Sequence, residues 1–234
     1  MQRIDKIISE HTYYTRKEIK KLISQKAVYV NGEEVKRPES KFDETQISIV
    51  INGKEIEIKN RIYLLLNKPK GYVSATEDKS QKTVLDLIPK EYKYRELFPA
   101  GRLDKDTTGL MLITDDGEFS HNILSPRKHV SKEYEVTLDI PVTLAMVDGF
   151  REGVSLNDGE CKTAILEITG ENTAKVTITE GRYHQIKRMF GCFGAKVVEL
   201  NRIRIGNLYL PKDLKLGEIK EATETELQKI QERS

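Results

Sequence analysis

Ile4, Ile7 and Ile8 recur at helical spacing and predict a helix in the opening turns. A stronger signal follows. Thr15-Arg-Lys-Glu18 has the form of a capping box, and Ile19, Leu22 and Ile23 then make one apolar stripe. Ala27-Val-Tyr-Val30 reads as a strand running into Asn31-Gly32, and a second pair, Asn52-Gly53, joins Ile47–Ile51 to the alternating Glu55–Ile58. Asn-Gly after an apolar run marks a tight hairpin, because both turn residues must take positive φ. Residues 1–58 are therefore expected to be helices leading into a small antiparallel sheet. Lys59-Asn60-Arg61 reads as a linker to a second domain over 61–234.

Beyond the linker the apolar runs are short and often alternate: Tyr63–Leu66, Leu110–Thr114, Tyr134–Leu138, Ala164–Ile168 and Lys175–Ile178. Helical stretches are expected at Glu118–Leu124, Leu144–Gly149, His184–Phe193 and Glu224–Glu232. This pattern predicts an α+β domain, a mixed and mainly antiparallel sheet with flanking helices. No stretch approaches the ~20 apolar residues of a membrane span, so no membrane partner is expected. The opening residues lack the apolar run of a secretory signal. Cys161 and Cys192 fit no metal or redox spacing, and a reducing cytoplasm is the expected setting.

Charge changes the picture only locally. The chain carries 39 Lys and Arg against 37 Asp and Glu. From Tyr13 to Lys41, however, eight cations face four anions, and from Gly181 to Arg204 six face one. On the first helix after the capping box, Arg16 and Lys20, and likewise Lys17 and Lys21, are like charges at i,i+4. Such pairs disfavour an isolated helix and are relieved by a polyanion. Three blocks here, Arg3-Ile-Asp-Lys6, Thr15-Arg-Lys-Glu-Ile-Lys-Lys-Leu-Ile23 and Val28-Tyr-Val-Asn-Gly32, resemble the RNA-binding module first described in ribosomal protein S-four. The resemblance implies that Arg16, Lys17, Lys20 and Lys21 lie on structured RNA.

Several chemistries have no motif in this chain. There is no P-loop, no dinucleotide fingerprint and no serine elbow, and the four histidines sit at no metal-ligand spacing. A reaction without cofactor or metal is expected. The densest polar motif is Gly101-Arg-Leu-Asp104-Lys-Asp-Thr-Thr-Gly-Leu110, in which Arg102 and Lys105 flank Asp104. A carboxylate beside cations is suited to act as a nucleophile or base. An aspartate capping a turn would look the same, so spacing alone leaves the two readings level.

This motif resembles the catalytic motif of bacterial ribosomal RNA pseudouridine synthases of the RsuA family. Three further blocks agree, in the family's order: Leu66-Asn-Lys-Pro-Lys-Gly71, Lys132-Glu-Tyr134, and Glu180-Gly-Arg-Tyr-His-Gln-Ile-Lys-Arg-Met189. The resemblance implies isomerisation of uridine to pseudouridine in ribosomal RNA, with Asp104 as nucleophile, Tyr134 as stacking platform for a flipped uracil and Lys187 as the basic partner of Asp104. Arg188 is the alternative partner. Arg102, Arg182, His184 and Gln185 become expected RNA or pocket contacts, while Asp106, Asp115 and Asp116 are assigned to turns and caps. The enzyme is expected to act as a monomer.

Within the family, Asp115-Asp-Gly-Glu-Phe-Ser-His121 followed by Ser125-Pro-Arg-Lys-His129 resembles the small-subunit enzymes more than the large-subunit ones. A large-subunit synthase and a non-catalytic assembly factor are the alternatives. The Ser125-Pro126-Arg127 segment weighs against the first, and the intact set Asp104, Tyr134 and Lys187 against the second.

Overall fold

The computed structural model describes residues 1–125, 128 and 130–232. Two compact units emerge. One comprises residues 1–62 and 88–97, the other residues 63–87 and 98–234.

The first unit opens with α1 (Ile4–His11) and α2 (Arg16–Ser24). The capping box at Thr15 is formed: Glu18 N–H donates to Thr15 Oγ1 at 3.3 Å, and Thr15 N–H donates to Glu18 Oε2 at 2.8 Å. Each bond satisfies an amide that has no partner in the helix ladder. Strands β1 (Val28–Val30), β2 (Glu33–Glu34), β3 (Ile49–Ile51) and β4 (Lys54–Ile56) form a sheet ordered β2-β1-β3-β4. Both expected Asn-Gly hairpins form, with Asn31, Gly32, Asn52 and Gly53 all at positive φ. Ile4, Ile7, Ile8, Ile19, Ile23, Val28, Val30, Ile49 and Ile51 make the core. The apolar stripe of α2 is spent in that core. Arg16, Lys17, Lys20 and Lys21 are consequently exposed.

The second unit is built on a mixed sheet. Its strands are β5 (Tyr63–Lys68), β6 (Phe98–Ala100), β7 (Thr108–Thr114), β8 (Lys132–Leu138), β9 (Ile165–Ile168), β10 (Thr173–Ile178), β11 (Val197–Ile205), β12 (Leu208–Tyr209) and β13 (Ile219–Glu221). The order is β9-β10-β8-β11-β7-β5-β13, with β6 on β7 and β12 on β11. Among the described residues only β7 and β11 run parallel. Gly109 makes that pairing possible: a Cβ there would stand 2.2 Å from the Arg202 carbonyl oxygen. A glycine is required both for this approach and for its φ of +107°.

The helices are α3 (Gly117–Leu124), α4 (Leu144–Glu152), α5 (Gln185–Gly191) and α6 (Glu224–Gln231). Leu65, Leu110, Leu112, Phe119, Ile123, Ile205 and Ile230 join strands, α3 and α6 in one core. Phe150 of α4 meets Phe190 of α5 with ring centroids 4.7 Å apart. Two strands extend past their expected ends into the motifs: β5 reaches Lys68 and β7 starts at Thr108, while β8 includes Lys132 on the face of Tyr134. Asn67 and Lys68 are polar, yet their backbones continue the ladder because β7 pairs with them at Leu110 and Gly109. Strand β11 has no counterpart in the expected elements. Asp116 does cap α3, accepting from Phe119 N–H at 2.9 Å.

Candidate active site

The motif 101–107 forms the loop between β6 and β7, and it is tied down by the residues that follow β5. Lys68 is fully buried at the end of β5. Its ammonium donates to the carbonyls of Asp104 at 3.0 Å, Thr107 at 2.9 Å and Pro69 at 3.1 Å. Gly71 N–H donates to Lys105 O at 2.8 Å. The Ser74 hydroxyl donates to Leu103 O at 2.7 Å and accepts from Leu103 N–H at 3.0 Å. The loop backbone is thereby pinned on both sides of Asp104. Burial lowers the Lys68 pKa to about 8, an effect that Asp106 and Asp104 oppose.

Asp104 borders a cavity of about 500 Å³ whose other walls include Tyr134, Arg102, Lys187 and His184. From α5, Lys187 places Nζ 3.1 Å from Asp104 Oδ2 and 2.6 Å from Asp106 Oδ1. Burial works against the lysine's charge, but its hydrogen bonds to Asp106 and Asp104 outweigh this and hold its pKa above the ordinary lysine value. The same bond from Lys187 holds Asp106 below the usual carboxylate range. His184 Nε2 lies 3.5 Å from Asp104 Oδ1. Tyr134 comes from the centre of the sheet, paired with Arg202 of β11 on one side and Val176 of β10 on the other. It is buried, and it shares the inward face of β8 with Lys132, Val136 and Leu138.

The turn 180–184 is locked from within. Gln185 is buried; its Nε2 donates to Glu180 Oε1 at 2.8 Å and its Oε1 accepts from Arg182 N–H at 3.0 Å. His184 holds φ +46°, ψ +36°, the left-handed region, which costs a non-glycine residue roughly 1–2 kcal/mol. Arg182 donates to Gly159 O at 2.9 Å, and Arg188 donates to Tyr183 O at 2.9 Å and pairs with Asp158.

The family profile described as RNA pseudouridylate synthase matches residues 62–191, and that of the S4 domain matches residues 2–47. The chain belongs to the RNA pseudouridylate synthase family. It is 40% identical to the RNA pseudouridine synthase YtzG of Bacillus subtilis, over 98% of each chain. It is also 40% identical to ribosomal small subunit pseudouridine synthase A of Escherichia coli K12, over 97% of this chain and 99% of the relative. A crystal structure described as a pseudouridylate synthase superposes with a TM-score of 0.69 at 39% identity, covering 98% of this chain and all of the other. With its S4 domain, this pseudouridylate synthase is an RNA-binding enzyme of α+β fold.

In this pseudouridylate synthase the residues singled out from sequence fall into three groups. Asp104, Tyr134, Lys187, Arg102, His184, Arg182 and Gln185 all line one cavity. Arg188 faces Asp158 of the short hairpin over 155–160, and Lys187 contacts Asp104. The four cations of α2 belong to the first unit. One sequence reading is extended and one corrected. Asp106 lies in a turn, as expected, and its carboxylate also binds Lys187. Arg102 and Lys105, neighbours of Asp104 in sequence, are exposed, and among the described residues the ion-pair partners of its carboxylate are Lys187 and His184, from another segment. Sequence neighbours need not turn their side chains onto the carboxylate, whereas α5 is brought to the loop by the fold.

Sequence reasoning missed Lys68 and Arg202. Arg202 is buried on β11 and donates from Nε to Leu110 O at 2.7 Å. Lys68 carried a signal, a charge two residues past the apolar run Tyr63-Leu-Leu-Leu66. Such a lysine is buried only with partners. Pro126, Arg127 and His129 lie outside the described residues.

Proposed function

We propose that this chain isomerises a uridine of small-subunit ribosomal RNA to pseudouridine, with Asp104 as the nucleophile. The observation that carries the assignment of Asp104 is its place in the cavity, 3.1 Å from Lys187 Nζ and on a loop pinned by Lys68. In the reaction the bond from C1′ to N1 of uracil is replaced by one from C1′ to C5. A proton leaves C5 and one is taken up at N1, so no co-substrate is consumed. The uracil must leave its stack to reach the carboxylate, and Tyr134 offers the ring on which it settles. Flipping costs a few kcal/mol, offset by such contacts. Lys187 holds Asp104 by a point charge rather than a bidentate fork.

The small-subunit assignment is supported by full-length likeness to relatives named ribosomal small subunit pseudouridine synthase A. The sequence from Asp115 to His121 agrees with it; the Ser125-Pro126-Arg127 segment points the same way, though its Pro126 and Arg127 are among the undescribed residues. In this reading the chain acts as a monomer, in the cytoplasm, on ribosomal RNA, and the cations of α2 supply affinity.

The test is to incubate the protein with ribosomal RNA from cells lacking it and to map pseudouridine with a base-specific chemical probe. A new pseudouridine in small-subunit RNA is expected. Asp104→Asn, isosteric but not nucleophilic, should bind RNA with wild-type affinity and form no product. Modification confined to large-subunit RNA would overturn the substrate assignment, and more than a few per cent of activity in Asp104→Asn would overturn the role of Asp104.

A further inference from the structure

Tyr183 is a large aromatic side chain that the protein leaves in solvent, 66% exposed, at the rim of the cavity that holds Asp104. Its position is specified closely. One face of its ring is covered by His184, with centroids 3.9 Å apart and planes 16° from parallel. Among the described residues no second ring stacks on it, and its high exposure gives the remainder of the ring to solvent. The arrangement depends on the left-handed backbone at His184, which turns the imidazole toward Asp104 Oδ1 while the two rings lie parallel. Glu180 and Gln185 brace that turn on one side, and Arg188 binds the Tyr183 carbonyl on the other. A backbone conformation of this kind persists where the surroundings over-determine it, and it clusters at functional sites. A hydrophobic ring held rigidly in water, beside a cavity that must receive a flipped base, suits stacking.

We infer that Tyr183 is a positioning residue for the RNA: its exposed ring stacks on the base next to the flipped uridine and caps the gap the uridine leaves. Lifting one base out of a strand exposes the faces of its neighbours, and that loss of stacking is part of the cost of flipping. A ring at the cavity mouth restores one such contact while Tyr134, inside the cavity, receives the uracil. Arg102, exposed at the same cavity, places a cation within the reach of the adjoining phosphates. The inference rests on the pseudouridine synthase reading of the cavity, and on Tyr134 as the inner platform.

The test uses the full-length enzyme and a short RNA spanning the uridine it modifies, whichever ribosomal RNA that uridine lies in. Two further RNAs carry an abasic ribose on its 5′ or its 3′ side. On the intact RNA, Tyr183→Leu should raise the half-saturating RNA concentration roughly 5- to 150-fold, the range for one base on one ring. The single-turnover rate at saturation should stay near wild type. Tyr183→Phe keeps the ring and should bind as wild type does. On one of the abasic RNAs the wild type should lose affinity by a similar factor, and Tyr183→Leu should then cost nothing more. A Tyr183→Leu penalty of equal size on all three RNAs, no penalty on the intact RNA, or a Tyr183→Phe loss as large as that of Tyr183→Leu would each overturn the stacking role. Those outcomes leave the proposed activity standing, because it is read from wild-type product on the intact RNA. Absence of pseudouridine in any ribosomal RNA would overturn both.

Discussion

Asp104 and Asp106 share a single ammonium, that of Lys187, and the nearer carboxylate is the one outside the proposed chemistry. Asp106 therefore sets where the lysine sits and how firmly it keeps its proton. Removing it deletes one of the interactions that raise the Lys187 pKa, so the lysine should lose its proton at lower pH. Asp106→Asn is expected to lower the single-turnover rate roughly tenfold, the cost of about 1.4 kcal/mol, and to move the alkaline fall-off of activity to lower pH. A rate profile carried from pH 7 past the ordinary lysine pKa, to about pH 11, checks both; an unchanged alkaline limb would show that Lys187 is held by Asp104 alone. Stability should respond at the other end of the scale. The Asp106 pKa is lowered in the folded protein, so its contribution is present above the ordinary carboxylate value and is lost as pH falls through the lowered one. The difference in Tm between wild type and Asp106→Asn should accordingly shrink to nothing in acid. From sequence, Asp106 looked like a turn residue. A side chain that spends its charge on a residue 81 positions away leaves no local trace.

At the scale of elements, the site depends on how one loop is anchored. The loop 101–107 has no secondary structure to hold it, and Lys68 supplies the bonds that a strand would have made. Lys68→Met keeps much of the apolar stem but strands buried carbonyls without a donor, each lost bond costing about 1–3 kcal/mol. The variant should unfold at lower denaturant, by about 3 kcal/mol, the low end of the sum because the desolvation of the buried ammonium is relieved as well. It should lose roughly 100-fold or more in rate if Asp104 drifts by an ångström. Equilibrium unfolding and single-turnover kinetics on the same preparation separate the two effects. Full activity in a destabilised protein would show that the loop keeps its shape without Lys68. The elements themselves were largely legible. Helix α2 and both Asn-Gly hairpins follow from residues at i, i+3 and i+4 or at a turn, which is local chemistry. Strand β11 was not legible. Buried Arg202 and Arg204 interrupt its apolar alternation, and those arginines are tolerated only because Leu110 O, Ser131 and Glu133 come from other segments to meet them.

At the scale of the whole molecule, the two units suggest a division of labour between affinity and chemistry. The cations of α2 are exposed on the first unit, and Asp104, Tyr134 and Lys187 all belong to the second. Replacing Arg16, Lys17, Lys20 and Lys21 with Ala should weaken RNA binding and flatten its salt dependence, each lost phosphate contact reducing the log–log slope by roughly one. The single-turnover rate at saturating RNA should stay near wild type. Binding titrations at several salt concentrations, paired with those kinetics, are the measurement. A normal slope would make α2 a solvated face, and a collapsed rate with normal affinity would assign it to the chemistry. The sequence by itself determined the helical and hairpin character of the first unit, the α+β character of the second, and Asp104, Tyr134 and Lys187 as the residues to watch. Those features rest on neighbours a few positions apart or on contiguous motifs. Tertiary structure alone decided that Lys187 rather than Arg188 reaches Asp104, that Asp106 shares that lysine, that Lys68 pins the loop, and that Tyr183 stands open beside His184. Each of these is a contact or an orientation set by the folded turn and by segments far apart in the chain. Charge and hydrogen bonding act through space, and spacing along the chain does not encode that distance.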